Sequence, residues 1–137
     1  MPAILADTGP MVAYLRKKDR YHGWAYEQFS THPLPFLTCE AVLTEAAYVL
    51  ERSGGYPEAV FDLVMAGALT VDFRMEEEAE TLKHLMERYR NVPMDVADAC
   101  MVRMSELHPG SEVLTVDSDF TIYRRHQREV IPLIMPY

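Results

Sequence analysis

Short apolar runs without polar alternation recur along the chain, and longer segments with helical spacing separate them. These runs predict strands at 3–7, 34–38, 69–72 and 113–117, with a weaker strand at 130–135. The helical segments lie at about 8–17, 20–30, 39–52, 57–66, 76–90, 95–107 and 118–124. Strands that are apolar on both faces and joined through helices are typical of a parallel sheet covered on both sides. The pattern therefore predicts an α/β fold.

Length and composition indicate one globular domain over residues 1–137. Hydrophobic residues make up 49% of the chain and charged residues 25%, which suits a domain with a sizeable core. No apolar run is long enough to span a bilayer, and the N-terminus lacks the layout of a secretory signal, so we expect a cytoplasmic protein without a membrane partner. Cys39 and Cys100 form no CxxC pair and are predicted to be buried free thiols.

Carboxylates occupy the ends and inner faces of the predicted elements. Asp7 follows the first apolar run, and Asp117 follows a later run with Asp119 close behind. Glu45 and Asp98 lie in helical segments that are otherwise lined by apolar residues. Binding sites in parallel α/β sheets form at the carboxyl ends of the strands. We therefore expect these acids to line one anionic pocket.

Some of these acids also have a local explanation as helix caps. Asp7 precedes a Thr-Gly-Pro sequence and suits a helix N-cap. Asp95 is the natural N-cap of the helix near 95–107, which leaves Asp98 as the third helical residue that can bond back to the cap. We expect either Asp117 or Asp119 to cap the next helix and the other to face the same sheet edge as Asp7.

A pocket of several acids needs a counter-charge. Like charges about 4 Å apart repel by roughly 4 kcal/mol at an effective dielectric near 20, so either protons or a cation must neutralise them. The candidate ligands are all carboxylate oxygens, and the five histidines show no zinc-ligand spacing, which favours Mg²⁺ or Mn²⁺. Such an ion can lower the pKa of a water and suits in-line attack on a phosphate ester.

Four segments carry the candidate acids in a fixed order along the chain. They are Ile4-Leu5-Ala6-Asp7-Thr8-Gly9, the Thr38-to-Leu50 helix with Glu45, Met94-Asp95-Val96-Ala97-Asp98-Ala99, and Thr115-Val116-Asp117-Ser118-Asp119-Phe120. This ordered set resembles the PIN-domain nucleases, and within them it is most similar to the VapC-type toxins of bacterial and archaeal toxin–antitoxin pairs. The resemblance spans essentially the whole chain.

The resemblance implies a parallel sheet of four to five strands with helices on both faces. It implies an Mg²⁺- or Mn²⁺-dependent endoribonuclease that hydrolyses RNA phosphodiester bonds with a metal-activated water. It also implies a type II toxin that is usually a homodimer and is inhibited by an antitoxin protein. A different class stays open, in which a PIN-like fold acts only as a non-catalytic RNA- or protein-binding module.

The resemblance also carries roles over to individual positions. The catalytic and metal-binding acids would be Asp7, Glu45, Asp98 and Asp117, with Asp119 as an auxiliary metal ligand. Thr8 and Thr115 would support these acids or a bound water through hydrogen bonds.

Contacts to RNA are predicted less sharply, because the formal net charge of −8 has the wrong sign for general phosphate binding. Two basic clusters supply the candidates for phosphate contacts, namely Arg16, Lys17, Arg20, Arg124 and Arg125. The same charges also suit helix C-termini. Tyr21, Trp24 and Tyr26 could stack on bases or pack within the protein.

Three other enzyme classes fit the sequence poorly. The triplet Asp7-Thr8-Gly9 also occurs in aspartic proteases, but that fold is all-β and this chain is largely helical. A haloacid-dehalogenase-like phosphatase would need an acid at position 9, which is glycine. A phosphoacceptor receiver domain would need a late lysine, and no lysine follows Lys83.

Overall fold

The computed structural model describes residues 2–137 and contains one five-stranded parallel sheet. Its strands are β1 (Ile4–Ala6), β2 (Phe36–Thr38), β3 (Leu69–Val71), β4 (Glu112–Leu114) and β7 (Leu133–Ile134), in the spatial order β3-β2-β1-β4-β7. A separate antiparallel hairpin joins β5 (Arg124–Arg125) to β6 (Glu129–Val130). The predicted α/β fold and its five-stranded parallel sheet are confirmed.

The central strand β1 is covered on both faces. Leu5 is in register with Leu37 of β2 on one side and with Val113 of β4 on the other. All three residues of β1 are buried, and successive side chains of a strand point to opposite faces. Both faces of the sheet centre are therefore inside the core, which explains why the predicted strands show no polar alternation.

Six α-helices surround the sheet, each beginning within about two residues of its predicted position. They are α1 (Thr8–Leu15), α2 (His22–Thr31), α3 (Glu40–Arg52), α4 (Ala59–Met65), α5 (Met75–Arg88) and α6 (Val96–Leu107). The most deeply buried is α6, in which eight residues are buried, and it packs against α3 and α5 as well as β1 and β4. Within residues 2–137, no helix is long and apolar enough to cross a lipid bilayer.

The segment after β4 differs from its prediction. The predicted helix at 118–124 is only a 3-10 helix over Ser118–Thr121, and the chain then enters the hairpin. An α-helix cannot continue there, because the amide of Arg124 donates to the hydroxyl of Tyr89 instead of to a preceding turn. Of the weak strand predicted at 130–135, only Leu133–Ile134 joins the main sheet.

Both cysteines are free and buried, as predicted. The thiol of Cys100 contacts that of Cys39, and this contact together with burial raises the pKa of Cys100. The pair joins the start of α3 to the middle of α6, two elements that carry candidate acids.

Candidate active site

The first candidate acid follows directly after the central strand. Asp7 precedes α1, but its side chain makes no capping hydrogen bond. The hydroxyl of Thr115 instead donates to Oδ2 of Asp7 at 2.7 Å. The amide of Asp7 donates to the carbonyl of Leu114 at 3.0 Å, which fixes the end of β1 against the end of β4. The Asp7 carboxylate is therefore held at the carboxyl edge of the sheet.

A cavity of about 420 Å³ lies at this edge. All four predicted catalytic acids line it, together with two further acids: Asp7, Glu45, Asp98, Asp117, Asp95 and Asp19. The four predicted acids come from the end of β1, from α3, from the start of α6 and from the loop after β4. Residues far apart in the sequence are thus brought together as predicted. Asp119 does not line the cavity.

Asp98 has a structural role and also faces the cavity. Asp95 caps α6, with its Oδ1 accepting from the amide of Asp98 at 2.8 Å. In return, Oδ2 of Asp98 lies 3.5 Å from the amide of Asp95. This is the predicted capping box. Asp98 is only 8% exposed, and Asp95 lies beside it on the cavity wall.

Tyr123 is a residue that sequence reasoning missed. Its hydroxyl donates to Oδ2 of Asp98 at 3.0 Å. The ring is fully buried and lies edge-on to the rings of Phe120 and Tyr89, with centroids 5.2 and 5.1 Å away. No local sequence pattern indicates this contact, because Tyr123 lies two residues beyond the end of the 3-10 helix and reaches Asp98 from a distant segment.

The loop after β4 ties its own acid to Asp7. The amide of Asp117 donates to the hydroxyl of Thr115 at 2.9 Å, and the same hydroxyl donates to Asp7. Asp117 also caps the 3-10 helix by accepting from the amide of Asp119 at 2.9 Å. Asp117 therefore both caps and lines the cavity, whereas we expected these roles to be divided between Asp117 and Asp119.

The electrostatics of the cavity raise the pKa of three of its acids. Burial raises the pKa of Asp7 to about 6. Burial, followed by contact with Asp95, raises the pKa of Glu45 to about 7. Burial, followed by the charges of Asp95 and Asp7, raises the pKa of Asp98 to about 7. Protons and a divalent cation would thus compete for the same oxygens near neutral pH.

The donor groups are of the chemical type that a hydrated hard cation prefers. Within residues 2–137, however, no group of three or more His, Cys, Asp or Glu side chains lies close enough together to hold a metal ion. Mg²⁺ keeps several waters and usually binds one or two carboxylates directly, so acids spaced around a cavity suit it. The Thr8 hydroxyl lines the same cavity and is buried with no hydrogen-bond partner among the described residues. A metal-bound water could satisfy it.

Of the predicted phosphate-binding residues, only Arg20 lines the cavity. The Arg124 guanidinium is used within its own turn, where it donates to three backbone carbonyls, those of Thr121, Ile122 and Tyr123. Arg125 pairs with Glu129 across the hairpin at 3.3 Å. Arg16 and Lys17 lie outside the cavity wall. Arg124 and Arg125 are thus occupied by local contacts and do not reach the site. No local sequence pattern indicates this.

Comparison with known proteins identifies the fold family. A family model for the PIN domain matches residues 4–125. The structure is also similar to the crystal structure of Mycobacterium tuberculosis VapC20, described as a sarcin–ricin loop cleaving toxin, with a TM-score of 0.76 and 22% sequence identity. That alignment covers 95% of this chain and 100% of VapC20. No curated protein sequence matches the chain. The family match spans all the candidate acids, and the chain therefore belongs to the PIN-domain family.

Proposed function

We propose that the chain is a metal-dependent endoribonuclease and the toxin of a type II toxin–antitoxin pair, with residues 1–137 forming one nuclease domain. The observation that carries this proposal is the convergence of Asp7, Glu45, Asp98 and Asp117 on one cavity at the carboxyl edge of the sheet. Membership in the PIN-domain family supports it. The similarity in fold to VapC20, a toxin that cleaves the sarcin–ricin loop, supports the toxin assignment.

The four acids would hold Mg²⁺ or Mn²⁺, which when bound supplies positive charge and a water of lowered pKa. Asp119 does not line the cavity and would act through Asp117, because the amide of Asp119 donates to the side chain of Asp117. Thr115 orients Asp7, and Tyr123 orients Asp98. Thr8 presents its free hydroxyl to the same space. These side chains fix the direction of the carboxylates before RNA arrives, which lowers the cost of organising the site.

The direct test is RNA cleavage with and without metal. The purified protein, freed of any antitoxin, is expected to cut RNA hairpins, including one that contains the sarcin–ricin loop, when Mn²⁺ or Mg²⁺ is present. An excess of EDTA should stop cleavage, and added Mn²⁺ should restore it. Failure to cut a broad RNA panel in either metal would refute the enzyme assignment. RNA binding without cleavage would instead favour the non-catalytic module.

Replacing Tyr123 by phenylalanine should lower the affinity for Mn²⁺ and leave the fold intact. The ring keeps its contacts with Phe120 and Tyr89, but Asp98 loses a hydrogen bond. Loss of such an outer-shell partner typically costs about 10- to 100-fold in metal affinity or activity. We expect the Mn²⁺ concentration for half-maximal thermal stabilisation to rise by about tenfold.

The matched control for Tyr123→Phe is Tyr89→Phe. The hydroxyl of Tyr89 accepts from the amide of Arg124 and touches no acid of the cavity. The Tyr89→Phe variant should therefore need the same Mn²⁺ concentration as wild type for half-maximal thermal stabilisation. If Tyr123→Phe and Tyr89→Phe need the same Mn²⁺ concentration for half-maximal thermal stabilisation, the hydroxyl of Tyr123 does not position Asp98.

We also propose a homodimer and an antitoxin partner. Large apolar side chains on α3 and α4 are exposed, among them Tyr48, Phe61 and Met65. Exposed apolar groups of this kind suit a protein interface. Because the proposed substrate is RNA, the cytoplasm is the proposed place of action. Light scattering on the purified chain tests the dimer, since a mass of one chain would exclude it.

A further inference from the structure

We propose that Arg20 and Tyr21 form a nucleotide subsite at the mouth of the acid-lined cavity. Tyr21 would stack on an unpaired base of the RNA, and Arg20 would contact the adjoining phosphate. Both residues line the same cavity as the four acids. This inference rests on the proposed function, because it assigns part of the RNA to that cavity.

The turn that carries these residues is fixed by hydrogen bonds. The amide of Tyr21 donates to the Asp19 carboxylate at 2.8 Å, and the amide of Asp19 donates to the carbonyl of Arg16 at 2.9 Å. The amide of His22, the first residue of α2, donates to the carbonyl of Asp19 at 3.0 Å. Such an Asx-type turn sets the backbone direction, so Tyr21 meets the cavity in a defined orientation.

The ring of Tyr21 is also held by two aromatic neighbours. Trp24 lies edge-on to it with the centroids 6.4 Å apart, and Tyr137 is tilted against it at 6.3 Å. The hydroxyl of Tyr137 donates to the carbonyl of Val116 at 2.6 Å, next to the cavity acid Asp117. These contacts leave Tyr21 only half-buried. A ring that is fixed before binding loses little entropy when a base stacks on it.

Arg20 is the positively charged side chain at the mouth of the cavity. Its guanidinium carbon lies 5.1 Å from the centroid of the Tyr21 ring, and its side chain is exposed. Among the ion pairs within residues 2–137, none includes Arg20. The cavity is lined by six carboxylates, that of the neighbouring Asp19 among them. They repel a phosphate, and the arginine at the mouth of the cavity offsets part of this repulsion.

An aromatic ring beside a free arginine is the arrangement that proteins use for single-stranded nucleic acid. Bases stack on aromatic side chains, and arginine adds phosphate and cation–π contacts. Duplex RNA keeps its bases stacked inside the helix and cannot offer one to Tyr21. The subsite therefore selects RNA in which a nucleotide next to the cleaved bond is unpaired.

The experiment measures binding separately from cleavage. A fluorescein-labelled, single-stranded RNA octamer is titrated by anisotropy with the Asp98→Asn protein, which is expected not to cut it, and with the same protein carrying Tyr21→Ala. Stacking is worth about 1–3 kcal/mol per base, so the affinity should fall by about 5- to 150-fold. Tyr21→Phe keeps the ring and should bind within about twofold of its parent.

Arg20→Ala is expected to weaken binding and to reduce the slope of log affinity against log salt by about one, as the loss of one phosphate contact should. Tyr26→Ala and Lys18→Ala serve as controls, because both side chains are exposed and lie outside the cavity wall. They should leave the octamer affinity unchanged. The same octamer annealed into a duplex should bind equally to the Tyr21→Ala protein and its parent.

Three results would overturn the subsite. These are unchanged affinity in Tyr21→Ala, a loss in Tyr21→Phe as large as in Tyr21→Ala, and an equal loss for duplex RNA. Circular dichroism melts show whether each variant is folded. If Tyr21→Ala is not, the Arg20→Ala protein decides the test, because an unchanged salt slope in that variant also overturns the subsite. If the wild-type protein binds RNA through Tyr21 but never cuts it, the proposed enzyme function fails and the subsite stands.

Discussion

Replacing Asp98 by asparagine is expected to abolish RNA cleavage while leaving the fold intact. An asparagine has the same shape, and its side-chain oxygen can still accept from Tyr123 as Asp98 does. It carries no negative charge, however, and so binds a divalent cation much more weakly than a carboxylate does. Loss of a residue that hydrogen-bonds a metal ligand already lowers metal affinity or activity by about 10- to 100-fold. Loss of a direct ligand should therefore lower the cleavage rate by more than about 100-fold. Asp7→Asn should behave in the same way.

The measurement is the single-turnover cleavage rate at saturating Mn²⁺, with circular dichroism as the check on folding. Asp62→Asn is the matched control, because Asp62 lies on α4, is exposed and does not line the cavity. It should cleave at the wild-type rate. A folded Asp98→Asn protein with cleavage close to wild type would show that Asp98 is no ligand of an essential metal.

Without metal, the protein is expected to become less stable as pH rises from about 4 to about 7. The pKa of Asp7 is 3.8 in the unfolded reference and about 6 in the folded protein. The folded state therefore binds more protons between these values, and the free energy of unfolding decreases as pH rises through them. At 1.36 kcal/mol per pKa unit, Asp7 alone accounts for about 3 kcal/mol. The raised pKa values of Glu45 and Asp98 act in the same direction.

Thermal melts in EDTA and in millimolar Mn²⁺ at several pH values measure this effect. Metal binding must displace the protons, so the gain in melting temperature from Mn²⁺ should be larger at about pH 8 than at about pH 5. The metal-free Asp7→Asn protein should be more stable than wild type by about 3 kcal/mol at about pH 8 and by about half as much at about pH 5. This difference isolates the cavity acid from all other titrating groups. Equal Mn²⁺ gains at both pH values would contradict the prediction.

The sheet and the convergence of the acids could be predicted because both depend on local pattern. An apolar run followed by an acid, as at Asp7, fixes the end of a strand, and parallel strands end at one edge. The start of α6 was predictable for the same reason, since Asp95 and Asp98 form a capping box from residues three apart. In both cases a few neighbouring residues contain the whole signal.

The supporting contacts could not be predicted because they join distant segments. Tyr123 reaches Asp98 from the segment after the 3-10 helix, where a helix over 118–124 was predicted. Tyr137 supports Tyr21 from the other end of the chain. The side chain of Arg124, a predicted phosphate ligand, instead donates hydrogen bonds to backbone carbonyls of its own turn. Such pairings depend on how loops return to the sheet, and hydrophobic periodicity carries no information about loop direction.

The Thr115 hydroxyl has a consequence for when the protein can become active during its synthesis. This single group donates to Asp7, 108 positions earlier in the chain, and accepts from the amide of Asp117. Asp7 is made 108 positions before Thr115, yet its orientation waits for β4 to pair with β1. A nascent chain shorter than residue 115 would carry the first three acids without the contact that aligns Asp7. The proposed nuclease activity would then begin only after β4 has been made and has paired with β1.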